Sequence, residues 1–247
     1  MALAGYGNRV EGLHAVAAAA ASGRVRKLWV EEGRLKRSEV RSIVDGVGQP
    51  HVHVVPDVRS MAETEAPQGL VADCTPIVPT SIDDLAGAAA GIVVLDHVED
   101  PHNVGAIARS ASASGMTGMV VSSKRAAPLS AAAFKSAAGA LEMLPVSVVG
   151  SIPEALNRLK DGGVWIVGLE PDSTTSLFGL EILTEPAALV VGAEGSGLSV
   201  LAAKRCDLLA SIPMAPGSES LNASVSAALA CFEVLRVRRE STTGVVP

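Results

Sequence analysis

The chain alternates between short continuous apolar runs and segments whose apolar residues recur at helical spacing. In the longer C-terminal part the runs are rich in valine, isoleucine and leucine. They predict strands at residues 91–98, 118–123, 144–150, 163–170, 187–194 and 208–214. The segments between them predict helices at residues 103–114, 130–139, 152–160 and 221–239. Apolar strands separated by helices are typical of an α/β fold whose parallel sheet is covered on both faces, and such sheets bind ligands at the carboxyl ends of their strands.

The N-terminal part has the same alternation on a smaller scale. An alanine-rich helix, a strand, a second helix and two more strands are predicted at residues 10–22, 25–32, 38–45, 51–55 and 68–74. The next stretch is rich in proline, threonine, serine and glycine, which indicates a linker with at most a short helical piece. We therefore predict a small α/β domain at residues 1–75, a linker at 76–90 and a larger α/β domain at 91–247.

The last predicted helix begins in an unusually polar segment. Apolar residues at helical spacing predict an amphipathic helix that starts near Leu221 and has a buried apolar face; they are Leu221, Val225, Ala228, Leu229 and Phe232. Its first turn nevertheless contains Ser220, Asn222 and Ser224. Ser220 is suited to cap the helix, and exposed amide donors at a helix start also suit polar or anionic ligands.

Composition limits how this protein can bind nucleic acid. Aromatic residues make up only 2% of the chain and the formal net charge is −6, so no row of aromatics is available to stack on single-stranded bases and charge must carry any such binding. Residues 24–41 are locally basic, and the candidates for RNA contact are Arg24, Arg26, Lys27, Arg34, Lys36 and Arg37. Two interpretations stay open, a solvated face with ion pairs or a patch that contacts phosphates.

Cysteine usage and hydropathy indicate a cytoplasmic protein. The three cysteines lie far apart among apolar neighbours, as reduced thiols do, and no secretion signal or 18-residue apolar span occurs. We expect no membrane segment. His97 and His102 flank Glu99 and Asp100 in one crowded loop, without the ligand spacing of known metal sites, so we expect no metal.

Three motif-bearing stretches follow predicted strands. They are "LDHVEDPHNVGAIARSASASG", "VVGAEGSGLS" and "IPMAPGSESLNASVSAALACF". The glycines of the second stretch, at 192, 195 and 197, form neither a dinucleotide-binding fingerprint nor a phosphate-binding loop, which argues against a nicotinamide dehydrogenase. Ser196 lacks the nucleophile elbow of a serine hydrolase.

Taken together, the three stretches resemble the SpoU/TrmH family of RNA ribose 2′-O-methyltransferases. The resemblance lies in N-x-G-x-x-x-R from Asn103 to Arg109, in G-x-E-G-x-G from Gly192 to Gly197, and in I-P-M followed by S-L-N-x-S from Ile212 to Ser224. It implies a C-terminal domain with a deep trefoil knot that binds S-adenosylmethionine, and a homodimer with active sites at the subunit boundary. Ala223 departs from the family's frequent valine.

The resemblance also implies roles for single residues. It places Arg109, Asn103, Glu194, Ser220 and Asn222 in the catalytic site, and it places the cofactor on Gly192, Ile212, Met214, Leu221 and Ser224. Because a guanidinium stays protonated, we expect Arg109 to orient a phosphate and stabilise the developing alkoxide rather than to act as a base.

The substrate implied by the resemblance is RNA. "EGLHAV" and "APQGLVA" look like the small substrate-binding domain of bacterial enzymes that methylate a guanosine ribose in 23S ribosomal RNA. Two other substrates stay open, transfer RNA and an antibiotic-site nucleotide of 23S RNA. A third alternative is an RNA-binding assembly factor without catalysis, although intact motif residues argue against it.

Overall fold

The computed structural model describes residues 5–217 and 220–243, arranged as two α/β units. The first and last four residues, at the outer ends of the two predicted domains, lie outside the described residues. None of the described helices is long and apolar enough to cross a membrane.

The N-terminal unit is a four-stranded mixed sheet with two helices. Its elements are β1 (Arg9–Glu11), α1 (Leu13–Ala21), β2 (Val25–Glu31), α2 (Ser38–Val47), β3 (Val52–Val55) and β4 (Leu70–Cys74). The strand order is β1-β4-β2-β3, with β2 parallel to β3 and antiparallel to β4. Leu28 and Val30 of β2 are fully buried, so the side chains that alternate with them, Lys27 and Trp29, lie on the opposite face of the sheet.

A short connection leads to the larger unit. It contains α3 (Ile82–Leu85), and the elements that follow are β5 (Gly91–Asp96), α4 (Pro101–Ala113), β6 (Gly118–Ser122), α5 (Ala131–Ala137), α6 (Ala140–Met143), β7 (Val146–Val149), α7 (Ile152–Asp161), β8 (Trp165–Leu169), β9 (Ala187–Gly192), α8 (Val200–Ala203), β10 (Leu208–Ala210) and α9 (Ala223–Thr243). The six strands are ordered β10-β8-β9-β5-β6-β7 and every pairing is parallel. The predicted α/β fold with a parallel sheet is confirmed.

Both faces of the large sheet are covered. In β5, Ile92 and Val94 pack with residues of α3, α7 and α8, whereas Val93 and Leu95 pack with residues of α4, α5 and α9. This two-sided burial explains why the strand is a continuous apolar run in the sequence. The trefoil knot implied by the resemblance stays a prediction, and so do the domain boundaries.

The C-terminal helix differs from its prediction in the face that it buries. α9 begins at Ala223, and the side chains that it buries are mostly small: Ala223, Ala227, Ala230, Cys231 and Val234. The apolar stripe expected to be buried is exposed, at 38% for Leu221, 46% for Val225, 38% for Leu229 and 48% for Phe232. Small residues allow α9 and α4 to approach closely, and they leave the larger side chains on the outside.

The two units share a continuous apolar core and a buried ion pair. Arg24 Nε donates to Glu142 Oε2 of α6 at 2.7 Å, and its other nitrogens donate to the second Glu142 oxygen and to the carbonyls of Gly7 and Thr75. The Glu142 side chain is 1% exposed. Burial alone lowers the pKa of Arg24, but the hydrogen bonds and charge of Glu142 outweigh it and leave that pKa above its ordinary value. Arg24 therefore joins the two units.

Candidate active site

The three motif-bearing stretches meet at the carboxyl edge of the large sheet. β5 and β9 are neighbours, and Asp96 at the end of β5 pairs in register with Gly192 at the end of β9. The first stretch continues from β5 into α4, the second forms the turn after β9, and the third runs from β10 to the start of α9. Parallel strands that end at one edge bring segments distant in sequence together.

The turn after β9 needs glycine for two separate reasons. Gly195 and Gly197 have φ values of 80° and 65°, in the left-handed region that side chains disfavour. Ala193 and Gly197 close the turn through reciprocal backbone hydrogen bonds of 3.1 and 3.0 Å. A Cβ on Gly192 would lie 2.2 Å from the carbonyl carbon of Gly197, so this close approach excludes any side chain there.

A chain of side-chain hydrogen bonds connects the three stretches. Asn222 Oδ1 accepts from the Ser224 backbone N–H at 2.8 Å and from the Ser224 hydroxyl at 2.6 Å. The Asn222 amide nitrogen therefore faces Asn103 and donates to its Oδ1 at 3.2 Å, and the Asn103 amide nitrogen donates to the Glu194 carboxylate. Each amide has one side fixed as acceptor and the other as donor. Asn222, rather than Ser220, caps α9.

A cleft of about 480 Å³ lies beside these hydrogen-bonded side chains. Residues of the loop after β8, of the glycine turn and of the segment before α9 line it, among them Leu169, Glu170, Asp172, Gly192, Glu194, Ile212, Met214, Ser220 and Leu221. The backbone N–H groups of Ile212, Met214 and Leu221 donate to none of the described residues, so they are available to a ligand. Of the described residues that line the cleft, none is lysine or arginine.

Three acidic residues at or beside the site escaped the sequence analysis. Asp96 is fully buried; its Oδ2 accepts from the Ser199 backbone N–H at 2.7 Å, and its Oδ1 lies 2.7 Å from His97 Nδ1. Asp96 thus anchors the chain beyond the glycine turn. Glu170 and Asp172 line the cleft. A carboxylate directly after an apolar run was a signal for Asp96, but no local pattern marks the other two.

Arg109 does not take part in the hydrogen bonds that connect Glu194, Asn103 and Asn222. It lies on α4, six residues beyond Asn103, which separates the two by about 9 Å along the helix axis. Its side chain is exposed, and it makes no hydrogen bond or ion pair with any described residue. It does not line the cleft, so in the single chain Arg109 and the cleft are separate.

The basic candidates of the N-terminal unit differ in their surroundings. Arg24 is paired with Glu142 and its side chain is 12% exposed, so a contact of Arg24 with RNA stays a prediction. Arg34 lies 3.8 Å from Glu31, and Lys27 lies over the Trp29 ring. The remaining candidates, Arg26, Lys36 and Arg37, are exposed.

The structure offers neither a metal cluster nor a reactive thiol within its described part. No group of three or more histidine, cysteine or acidic side chains is placed to hold a metal ion among residues 5–217 and 220–243. Burial raises the pKa of Cys206 and of Cys231 to about 12, so both thiols stay protonated near neutral pH and are poor nucleophiles.

Fold and site together define an α/β protein with a cleft, lined partly by main-chain groups, at the carboxyl edge of its parallel sheet. Residues 90–232 match the SpoU rRNA Methylase family, and residues 9–79 match the domain described as RNA 2′-O ribose methyltransferase substrate binding. The chain belongs to the SpoU family.

Individual relatives agree with this placement. A Staphylococcus haemolyticus protein assigned to the TrmH family of tRNA/rRNA methyltransferases is 34% identical over 242 residues, which cover 94% of this chain and 96% of the relative. The SpoU methyltransferase AviRb from Streptomyces viridochromogenes, solved with AdoMet, has a TM-score of 0.81 at 26% identity and covers 94% and 90% of the two chains. An RNA 2′-O ribose methyltransferase structure has a TM-score of 0.77 at 26% identity, with 94% and 88% covered.

Proposed function

We propose that the protein transfers a methyl group from S-adenosylmethionine to the 2′-hydroxyl of a ribose in RNA. The observation that carries the proposal is the hydrogen-bonded chain from Glu194 through Asn103 to Asn222, which unites three distant stretches beside a glycine-walled cleft. Family membership supports the same reaction.

The cleft fits S-adenosylmethionine in its donor groups and its charge. The unpartnered N–H groups of Ile212, Met214 and Leu221 suit an adenosine moiety, and Gly192 allows the glycine turn to pack closely at the cleft wall. The carboxylates of Glu170, Asp172 and Glu194 line the cleft, and none of its described lining residues is lysine or arginine. This charge suits the positively charged sulfur of the cofactor. When bound, this cofactor supplies a methyl group activated on a positively charged sulfur.

The residues of the three motif-bearing stretches then have distinct tasks. Asn103 and Asn222 hold the start of α4 and the start of α9 at a fixed distance from the glycine turn. Arg109 presents a permanent cation that orients an RNA phosphate and stabilises the alkoxide forming on the ribose, while the hydroxyl proton passes to phosphate or water. Alignment of reacting groups can lower a barrier by roughly 7–11 kcal/mol.

We further propose a homodimer that pairs through the exposed stripe of α9. Large apolar side chains aligned on one helix face are unusual on a monomer surface, and α9 packs beside α4, which carries Arg109. A second copy on this stripe would lie next to Arg109. Arg109 of one subunit would then serve the cleft of the other, which explains its distance from the cleft in the single chain.

Subunit mixing tests this shared site. Arg109→Ala and Asn222→Ala variants are each expected to be inactive alone. If each site takes residues from both subunits, a mixture with exchanging subunits contains heterodimers with one intact site and recovers about a quarter of the wild-type activity. No recovery after proven exchange contradicts the shared site.

For the substrate we propose a guanosine of 23S ribosomal RNA. The N-terminal motifs support this choice, and the match to a substrate-binding domain supports RNA as such. Mapping ribose methylation in RNA from cells that lack the gene tests it. Loss of the mark at a 23S guanosine supports the proposal, whereas an unchanged 23S RNA with a lost mark in transfer RNA rejects it. Calorimetry with S-adenosylmethionine tests the non-catalytic alternative, because an assembly factor need not bind the cofactor.

A further inference from the structure

The outer face of the N-terminal sheet carries a partly exposed tryptophan surrounded by cations. Trp29 lies in β2, opposite His53 of β3, and the two rings are 6.3 Å apart at 34°. The Lys27 ammonium lies 4.6 Å and the Arg9 guanidinium 5.4 Å from the centre of the Trp29 ring. We call these four residues the Trp29 surface.

The position of Arg9 on this surface is fixed by other contacts. Arg9 Nη1 donates to the Met61 carbonyl at 2.8 Å, and Nη2 lies 3.1 Å from Asp73. Lys27, by contrast, forms no ion pair with any described carboxylate. One cation held by an ion pair and one without an ion pair among the described residues therefore flank the same aromatic ring, in a chain whose net charge is −6.

We propose that the Trp29 surface binds an unpaired segment of the RNA substrate, with a base stacked on Trp29 and the flanking phosphates held by Arg9 and Lys27. The inference rests on the proposed function, because it takes RNA as the substrate. The low aromatic content argued against a row of aromatic residues that stack on successive bases. A single tryptophan with two neighbouring cations is a different way for the N-terminal unit to bind RNA.

The chemistry of the surface favours single-stranded RNA over a duplex. An aromatic ring stacks on any exposed base face, whereas the bases of a duplex are already stacked on one another. RNA-binding proteins commonly recognise loops and ends, where bases stack on aromatic rings or arginine planes. Lys27 and Arg9 add charge that is complementary to phosphate.

The chain offers its own control, because its only two tryptophans are Trp29 and Trp165. Trp165 lies at the start of β8 and is 43% exposed. The Trp165→Phe variant leaves Trp29 as the sole tryptophan, and Trp29→Phe leaves only Trp165. Each is titrated with a single-stranded oligoadenylate and with a blunt-ended duplex RNA of the same length.

We expect the oligoadenylate to quench the fluorescence of Trp165→Phe and to leave Trp29→Phe unchanged, with no quenching by the duplex. Trp29→Ala should weaken oligoadenylate binding by about 5- to 100-fold, and Lys27→Gln should reduce the salt dependence by about one phosphate contact. Affinity for S-adenosylmethionine, measured by calorimetry, should not change in any of these variants.

Unchanged Trp29 fluorescence on binding, unchanged affinity in Trp29→Ala, or no RNA binding at all would each overturn the inference. A purely structural tryptophan would lower the stability of Trp29→Ala without any quenching by RNA. Failure of the proposed function looks different: the wild-type chain then neither binds S-adenosylmethionine nor forms 2′-O-methylribose.

Discussion

At the scale of the residue, Asn222 combines a structural and a functional contact in one amide. Its Oδ1 accepts from the Ser224 N–H and caps α9, while its Nδ2 donates to Asn103. The two contacts use opposite ends of the side chain. Substitutions can therefore separate them.

Asn222→Asp keeps the capping oxygen and loses the donor toward Asn103. Because aspartate caps helices as well as asparagine does, we expect the free energy of unfolding to stay within about 0.5 kcal/mol of wild type. The new carboxylate would face the Asn103 oxygen and stand near Glu194, so methyl transfer should fall strongly. Asn222→Ala should lose activity and also about 1 kcal/mol of stability. Urea unfolding and turnover check both variants, and full activity in Asn222→Asp would contradict the role of the donor.

Arg109→Lys tests the role that we propose for Arg109 in methyl transfer. Lysine keeps the positive charge but loses the planar fork that binds phosphate through two hydrogen bonds. We expect turnover to fall roughly 10- to 100-fold at unchanged thermal stability, since the loss of one charge-assisted hydrogen bond costs about 1.5–3 kcal/mol. Full turnover with normal folding would reject the two-point contact.

At the scale of the element, the placement of Asn103 depends on how closely α4 approaches α5. A Cβ on Gly105 would lie 2.3 Å from the Ala133 carbonyl oxygen and 2.6 Å from the Ser136 Cβ. Ser136 also donates to the His102 carbonyl at 2.8 Å. The glycine of the first motif thus allows the close packing that positions the start of α4.

Two glycine-to-alanine changes in helices should therefore have opposite effects. Gly105→Ala must push α4 and α5 apart, and we expect it to cost about 1–3 kcal/mol and to lower activity by displacing Asn103. A Cβ on Gly46 of α2 would meet no described atom within 4 Å, and Gly46 has no positive φ, so Gly46→Ala should add about 0.5–1 kcal/mol of stability. Denaturant unfolding measures both, and equal effects would refute the packing argument.

At the scale of the whole molecule, the ion pair between Arg24 and Glu142 joins the two units and should contribute strongly to the free energy of unfolding. Arg24→Ala would leave the buried carboxylate of Glu142 without a partner, and we expect a loss of about 3–5 kcal/mol with RNA affinity unchanged in the folded protein. Arg26→Ala, at the exposed neighbour, should change stability by less than about 0.5 kcal/mol. Unfolding curves and RNA titrations of the two variants check this. Normal stability with weakened RNA binding in Arg24→Ala would contradict the structural role and support a contact of Arg24 with RNA.

The exposed stripe of α9 makes a prediction about assembly. Phe232→Glu should convert a dimer to a folded monomer and abolish methyl transfer, because a charge cannot be buried in an apolar interface without a partner. Val78, which is 79% exposed in the connection between the units, provides the control, and Val78→Glu should stay dimeric. Light scattering gives the mass of each variant. A wild-type monomer, or a dimeric Phe232→Glu, would contradict the proposed interface.

The sequence by itself determined most of the order of strands and helices, although it missed β1, α6 and α8, and it determined the three motif-bearing stretches. Strands buried on both faces are apolar runs regardless of their partners, and the glycine turn after β9 reflects local backbone demands. These features depend on the residue types of each segment and not on the identity of its distant partners, so the local sequence pattern was sufficient to predict them.

The tertiary structure decided what the sequence could not. Which face of α9 is buried depends on the close packing of small residues against α4, which reversed the expectation drawn from the large apolar residues. Arg24 in a basic segment became a buried partner of Glu142, 118 residues away. The Trp29 ring, already beside Lys27 of its own strand, gained Arg9 from β1, 20 residues away. In each case the deciding partner is distant in sequence, and only folding brings its charge or volume into contact.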